Sequence, residues 1–172
     1  MTWVSPSKSN HPPGRVGSRC ARGFSLVETM VVVVIVGLLG ATAASRYSSA
    51  INNFGADALA RRVAADFAYA ASLARRNGAS QAVVFDITNN QYTFTGVTDP
   101  DKPANTYGLV CNAEPYRGTI ASVSLVSGST NVTTVNFDKY GFPDAGGTVV
   151  VQVGSVTRTV TLNLASGKAS VQ

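Results

Sequence analysis

Histidine and cysteine are almost absent from this sequence of 172 residues. The one histidine, His11, and one of the two cysteines, Cys20, lie within the first 23 residues, which leaves Cys111 as the only residue of either type beyond them. Nucleophilic Cys–His pairs, Ser–His–Asp triads and the usual zinc sites need histidine or several cysteines. The sequence has no glycine-rich phosphate-binding loop either. We therefore predict that the protein is not an enzyme and that it uses no cofactor and no metal.

Charged residues are also scarce, at 13% of the sequence, although the pI is near 9.5. The first 23 residues contain no acidic residue and four basic ones, Lys8, Arg15, Arg19 and Arg22. The rest of the chain has 10 basic side chains against 9 acidic ones and is nearly neutral. A nucleic-acid-binding surface would need more positive charge there. Basic residues that precede a membrane span instead hold that end of the chain in the cytoplasm.

Proline is missing from a long apolar run, residues 24–44, and charge is almost missing. At 21 residues, the run is long enough to cross a bilayer core of ~30 Å as a helix. Its one ionisable side chain is Glu28. A carboxylate in a membrane span costs roughly 2.5–3.5 kcal/mol, so it indicates either a function that involves a partner or a place near the water interface. The residues alone leave both interpretations open.

The sequence around Glu28 resembles a processing signal. The stretch Gly-Phe-Ser-Leu-Val-Glu at 23–28, between a basic segment and an apolar run, closely resembles the signal of type IV prepilins and pseudopilins. In that family a prepilin peptidase cuts after the glycine and N-methylates the new first residue. The resemblance implies cleavage between Gly23 and Phe24, methylation of Phe24, and a role for Glu28 as the carboxylate that guides assembly.

The spacing between Phe24 and Glu28 also has a plausible physical reason. Within lipid, a lone carboxylate and a lone N-terminal ammonium group are each costly, and pairing them between adjacent subunits offsets both costs. A docked subunit is then favoured over an isolated one. Cleavage would remove residues 1–23 as a cytoplasmic leader, so that no disulfide could form within the processed chain.

Residues 45–78 predict an amphipathic continuation of the same helix. Apolar residues recur at three- and four-residue steps and are predicted to be buried: Leu59, Val63, Phe67, Ala70, Leu73 and Ala74. The charged residues between them are expected to point elsewhere: Arg61, Arg62, Asp66, Arg75 and Arg76. No proline occurs from Phe24 to Arg76, and Asn77-Gly78 supplies the left-handed cap at which a helix ends.

The remainder of the chain, residues 79–172, is predicted to be β-structure. A hairpin is expected from Val83–Asp86 and Gln91–Thr95, and Gly96–Gly118 is expected to be a long irregular loop. Further strands are predicted at Thr119–Val126, Val132–Phe137, Thr148–Val153 and Val156–Leu164, with a tight turn at Gly154-Ser155.

Two carboxylates of the predicted loop, Asp99 and Asp101, could begin a calcium site. No glycine-anchored acidic loop of the EF-hand type accompanies them, so a solvated turn is favoured.

Two further regions resemble the GspH/FimT branch of the type IV pilin-like superfamily. They are the Ala/Arg-rich helix at 59–76 with the strand at 81–85, and the segments at 135–143 and 166–168. The resemblance implies an α+β fold, in which a long N-terminal α-helix packs on an antiparallel β-sheet head at 79–172. The helix would have a transmembrane half at 24–44 and an amphipathic half at 45–78. The chain departs from many type IV pilins at Ser45, where they have proline.

This resemblance implies a minor pseudopilin or pilin subunit of a type II secretion pseudopilus or a type IV pilus. The implied partners are prepilin peptidase, other pseudopilin or pilin subunits and an inner-membrane assembly platform. The implied location is the bacterial inner membrane, crossed once, with the N-terminus cytoplasmic and the head periplasmic, before the subunit enters a filament.

Two alternative functions remain open. A DNA-binding minor pilin is one, because FimT proteins are associated with a Gly-Arg-x-Arg motif near the C-terminus. The matching positions here are Gly-Lys-Ala-Ser at 167–170, and Lys168 with Arg158 would form only a thin patch. The other is a secreted β protein that is cleaved at Ala-Thr-Ala, 41–43. That alternative leaves Gly23, Phe24 and Glu28 unexplained.

Overall fold

A computed structural model describes Gly23 and residues 25–172, apart from the side chains of residues 42–45. Phe24 and the leader before Gly23, including His11 and Cys20, lie outside the described residues. The chain divides into two compact units between Ala41 and Thr42.

One α-helix, α1, runs from Leu26 to Asn77. Gly78 follows it with φ +62°, and the Ala79 N–H donates to the carbonyl of Ala74 at 3.3 Å. Both features belong to a helix end that closes through a left-handed residue. The predicted stop at Asn77-Gly78 is confirmed.

The described chain beyond α1 forms two antiparallel sheets. The strands, in chain order, are β1 (Gln81–Asp86), β2 (Gln91–Thr98), β3 (Thr106–Val110), β4 (Thr119–Ser127), β5 (Thr130–Val132), β6 (Thr134–Phe137), β7 (Gly146–Val153), β8 (Val156–Leu162) and β9 (Ala169–Val171). The first sheet has the order β3-β2-β1-β6, and the second has the order β5-β4-β7-β8-β9. The predicted α+β fold, a long helix packed on antiparallel sheets, is confirmed.

Both predicted hairpins are confirmed. Asp86 pairs with Gln91 at the β1–β2 turn, and Val153 pairs with Val156 at the β7–β8 turn. Gly154 lies in this second turn with φ +57°, a backbone conformation that L side chains rarely adopt.

Two predictions about the strands are wrong. Gly96–Gly118 is not wholly irregular, because it contains β3, which extends the first sheet beside β2. The predicted strand Val132–Phe137 is divided at Thr133 into β5 and β6, which belong to different sheets. The Thr133 carbonyl accepts a hydrogen bond from Phe85 in the first sheet, where the chain passes from one sheet to the other.

The core lies between the second half of α1 and the sheets. All six helix residues predicted to be buried are at most 4% exposed, which confirms that stripe. Phe67 is central, since its ring centroid lies 5.8 Å from that of Phe85 on β1 and 6.2 Å from that of Phe137 on β6. The prediction that Asp66 points away from the core is wrong, because Asp66 is only 5% exposed. Its burial depends on polar partners from β2 and β3 that the helical pattern alone does not reveal.

Candidate functional site

The first part of α1 is an uncovered apolar surface. Each large hydrophobic side chain from Leu26 to Leu39 is 50–75% exposed. By length and composition this helix could cross a membrane. Contiguous apolar surface of this size marks contact with a membrane or with another protein. The first part of α1 is therefore a candidate for both.

Glu28 lies in the first turn of this apolar helix and is exposed. The side chain of the next residue, Thr29, bonds to the helix backbone, because its hydroxyl donates to the Leu26 carbonyl at 2.9 Å. Glu28 forms no ion pair with any residue that the structure describes. A negative charge in the first turn favours the helix electrostatically. Its carboxylate is not covered by any residue that the structure describes.

Gly23 is exposed, and a Cβ built on it would have no atom within 4 Å. The cleavage after Gly23 and the methylation of Phe24 stay predictions.

A second apolar surface on α1 lies beyond the membrane-length segment. Tyr47, Ile51 and Phe54 are 71%, 51% and 77% exposed. Their four- and three-residue spacing places them on one face of the helix. We call these three residues the apolar ridge. The ridge was not predicted from the sequence, although the helical spacing indicates it: at about 100° per residue, Phe54 is offset by about 140° from the buried Leu59.

Arg158, one of the two candidate DNA contacts, lies on β8 opposite α1. Its Nε lies 3.6 Å from Oδ1 of Asp57, and its Nη2 lies 3.4 Å from Oδ1 of Asn53. A hydrogen bond from Arg61, together with the positive charges of Arg61 and Arg158, lowers the pKa of Asp57. The charge of Arg158 is thus already engaged within the protein.

Lys168, the other candidate DNA contact, lies at a different place. Its carbonyl accepts a hydrogen bond from Asn163, just beyond the end of β8. Arg158 lies five residues before Asn163, which corresponds to ~16 Å along an extended strand. The structure therefore does not bring Lys168 and Arg158 into one cluster. Lys168 instead lines a cleft beside Arg75.

The acidic pair in the Gly96–Gly118 segment forms a turn. The Asp101 N–H donates to Oδ1 of Asp99 at 2.9 Å, which confirms the predicted turn. The described residues contain no group of three or more His, Cys, Asp or Glu side chains that could hold a metal ion.

A buried polar network, which was not predicted from the sequence, joins α1 to the first sheet. Asp66 accepts hydrogen bonds from the hydroxyl groups of Tyr92 and Tyr107 and from Nε of Arg62. Burial and the nearby Asp66 charge raise the pKa of Tyr107 to about 12 and that of Tyr92 still further. All described buried side-chain N and O atoms have a hydrogen-bond partner. The arrangement is a satisfied structural network that fixes β3 to the helix.

Two family models match the chain. Residues 18–44 match the prokaryotic N-terminal methylation motif, which spans Arg19, Arg22, Gly23, Glu28 and the apolar run. Residues 59–167 match the type II transport protein GspH, which spans the buried half of α1 and almost all of the β head. No curated protein and no solved structure matches the chain significantly.

Proposed function

The chain belongs to the family of the type II transport protein GspH and is a minor pseudopilin of type II secretion or pilus assembly, and we propose that it is anchored in the bacterial inner membrane by the first part of α1. The exposed apolar side chains from Leu26 to Leu39 support this anchor. Four basic residues precede it, so the N-terminus lies in the cytoplasm and the β head on the other side.

Prepilin peptidase processes the precursor between Gly23 and Phe24 and methylates Phe24. The match to the methylation motif over residues 18–44 supports this step. Cleavage removes the four basic residues of the leader and makes Phe24 the N-terminal residue of the membrane helix.

Glu28 then guides assembly by pairing with the N-terminal ammonium group of an adjacent subunit. The observation that carries this proposal is the exposed carboxylate of Glu28 within an otherwise apolar helix surface. In lipid, an unpaired carboxylate and an unpaired ammonium group are both unfavourable, so the pair favours the docked subunit.

Contacts with neighbouring subunits continue beyond the membrane through the apolar ridge. Phe54 lies ten residues after Ala44, the end of the apolar run, or ~15 Å along a helix. Lipid tails do not reach that far from the hydrocarbon core when the helix crosses it upright. In the proposed function, a neighbouring subunit of the filament packs on the apolar ridge and shields it from water. Between the two machines, the match to a type II transport protein favours the secretion pseudopilus.

The experiment that tests this function is intact-mass measurement and N-terminal sequencing of the protein from membranes, with and without prepilin peptidase. We expect a chain that begins with N-methylated Phe24 when the peptidase is present and the uncleaved precursor when it is absent. A soluble chain that begins near Ala44 would identify an ordinary secreted protein and would overturn the proposal.

A matched pair of glycine variants tests the processing step. Gly23→Leu should leave uncleaved precursor in membranes, since the larger side chain occupies the position at which the peptidase recognises glycine. Gly37→Leu is the control, because Gly37 is equally uncovered but lies within the apolar helix. Normal cleavage of Gly23→Leu would remove the assignment of the signal.

A further inference from the structure

A cleft of about 320 Å³ lies in the head, between α1 and two turns. One wall is formed by small residues of the helix, Ala64, Ala68 and Ala71. The other wall is formed by Gly141 and by residues 166–169, which precede and enter β9. We call this the alanine cleft. It lies in the described unit that begins at Thr42.

The alanine cleft carries positive charge without compensation. Arg75 and Lys168 both line it, and no carboxylate does. Neither Arg75 nor Lys168 forms an ion pair within the part of the chain that the structure describes. Ser166 adds a hydroxyl group to the same lining. Two cations and a hydroxyl group around one cavity favour an anionic occupant.

Arg75 lies against the backbone of the neighbouring turn at the cleft. Gly141 has φ +84°, and a Cβ built on it would collide with Nη1 of Arg75 and lie 3.0 Å from the carbonyl of Ala71. Asp138 fixes this turn, since its Oδ1 accepts the N–H groups of Tyr140 and Phe142 at 2.9 and 2.8 Å. Asp144, the other carboxylate three residues from Gly141, accepts hydrogen bonds from Asn136, so both carboxylates nearest to Gly141 in sequence are engaged elsewhere.

We propose that the alanine cleft binds a carboxylate-bearing segment of a partner protein. A guanidinium group matches the two oxygens of a carboxylate, and an ammonium group adds a second charge. The alanine wall leaves space for a side chain to enter. Tyr140 and Phe142, which are 64% and 51% exposed, flank Gly141 and offer apolar contact to the rest of the segment.

A protein segment fits the cleft better than nucleic acid does. Affinity for nucleic acid grows with the number of neutralised phosphates, and the cleft offers only two cations. Beyond residue 23 the chain has 10 basic side chains against 9 acidic ones, so its surface is not broadly basic. The small volume and the alanine wall suit a single acidic side chain. The binding site is distinct from the helix contacts that place the subunit in a filament.

The test uses the full chain in nanodiscs of neutral phosphatidylcholine. The probe is a fluorescent hexapeptide of alternating Glu and Ala, and its binding is measured by fluorescence anisotropy at low ionic strength. Fluorescent hexathymidylate is the comparison probe. The variants are Arg75→Glu and Lys168→Glu. Arg76→Glu is the matched control, because Arg76 is also exposed in the last turn of α1 but does not line the cleft.

We expect Arg75→Glu and Lys168→Glu each to weaken peptide binding about tenfold or more, as expected for a lost charge-assisted hydrogen bond. Arg76→Glu should change the peptide Kd much less, and Lys168→Arg should retain binding. Near-UV circular dichroism identifies any variant that fails to fold, and Arg75→Gln then replaces Arg75→Glu. Three results would overturn the proposal: no binding of the peptide by the unmodified chain, an equal loss in Arg76→Glu, or tighter binding of hexathymidylate than of the peptide.

Discussion

The hydroxyl group of Tyr92 lies 2.5 Å from Oδ2 of Asp66, and this contact joins β2 to the middle of α1. Tyr107 on β3 donates to the other carboxylate oxygen at 3.1 Å and accepts a hydrogen bond from Arg62 at 2.8 Å. Three elements of the head thus meet at one buried carboxylate. A buried charge is tolerated only when it is hydrogen-bonded and paired, and Asp66 fulfils both conditions.

We predict that Asp66→Ala lowers the free energy of unfolding by about 3 kcal/mol, because it leaves two tyrosine hydroxyl groups and Arg62 without their acceptor. Urea unfolding of the full chain in detergent, followed by near-UV circular dichroism, measures the change. Asp57→Ala is the control: Asp57 pairs with Arg61, four residues away, and with Arg158, but its side chain is 39% exposed, so the effect should be smaller. Equal destabilisation by both variants would contradict a special role for the buried network.

Alkaline pH should destabilise the head through the same tyrosines. Burial raises the pKa of Tyr107 to about 12, above the usual value of 10.0, and the pKa of Tyr92 is raised as well. The folded state therefore holds these protons more tightly than the unfolded chain does. The stabilisation is complete below about pH 10 and is lost as the pH rises towards 12. Thermal melts between pH 8 and 12 should show a steeper loss of stability in the unmodified chain than in Tyr107→Phe.

Cys111 should react very slowly with thiol reagents while the protein is folded. Its side chain is fully buried, and burial raises the pKa of the thiol to about 11. Since the thiolate is the reactive form, its fraction at pH 8 is about 100-fold below that of a thiol with the unperturbed pKa of 9.0. Ellman's reagent applied to a Cys20→Ser chain, with and without urea, measures the difference. Rapid reaction in the absence of urea would show that Cys111 is accessible.

Glu28→Ala should be cleaved normally and should assemble poorly. In the proposed function, the peptidase recognises Gly23 at the cleavage site, whereas Glu28 acts later by pairing with the N-terminus of a neighbouring subunit. Loss of even about 1 kcal/mol would reduce assembly about fivefold. Intact mass measures cleavage, and the ratio of sheared filament to membrane-bound subunit measures assembly. Thr29→Ala, a change at the next residue, is the control and should assemble normally. Normal assembly of Glu28→Ala would refute the pairing mechanism.

Local patterns predicted much of the fold. The buried stripe of α1 repeats every three or four residues, and Asn77-Gly78 marks the end of α1. Both features could therefore be predicted from short stretches of sequence. The two confirmed hairpins could also be predicted, because each joins strands that are neighbours in sequence. The apolar run with its single carboxylate, Glu28, likewise needs no tertiary contact to be recognised.

Contacts between distant parts of the sequence decided the rest. β3 is short and became a strand by pairing with β2, and Thr133 divides one apparent strand between two sheets. Asp66 resembles an ordinary surface residue of a helix until Tyr92 and Tyr107, 26 and 41 residues away, supply its hydrogen bonds.

The membrane-length helix could be predicted from the sequence because it depends only on the composition of one short stretch, while the resemblance to a known family implied the processing signal and the α+β class. The tertiary structure alone decided the burial of Asp66 and the alanine cleft. Arg75 and Lys168 are far apart in sequence, and only the packing of β9 and the Gly141 turn against α1 brings their charges to one cavity. The physical reason is that burial and electrostatic environment are properties of neighbours in space, which a local sequence pattern does not encode.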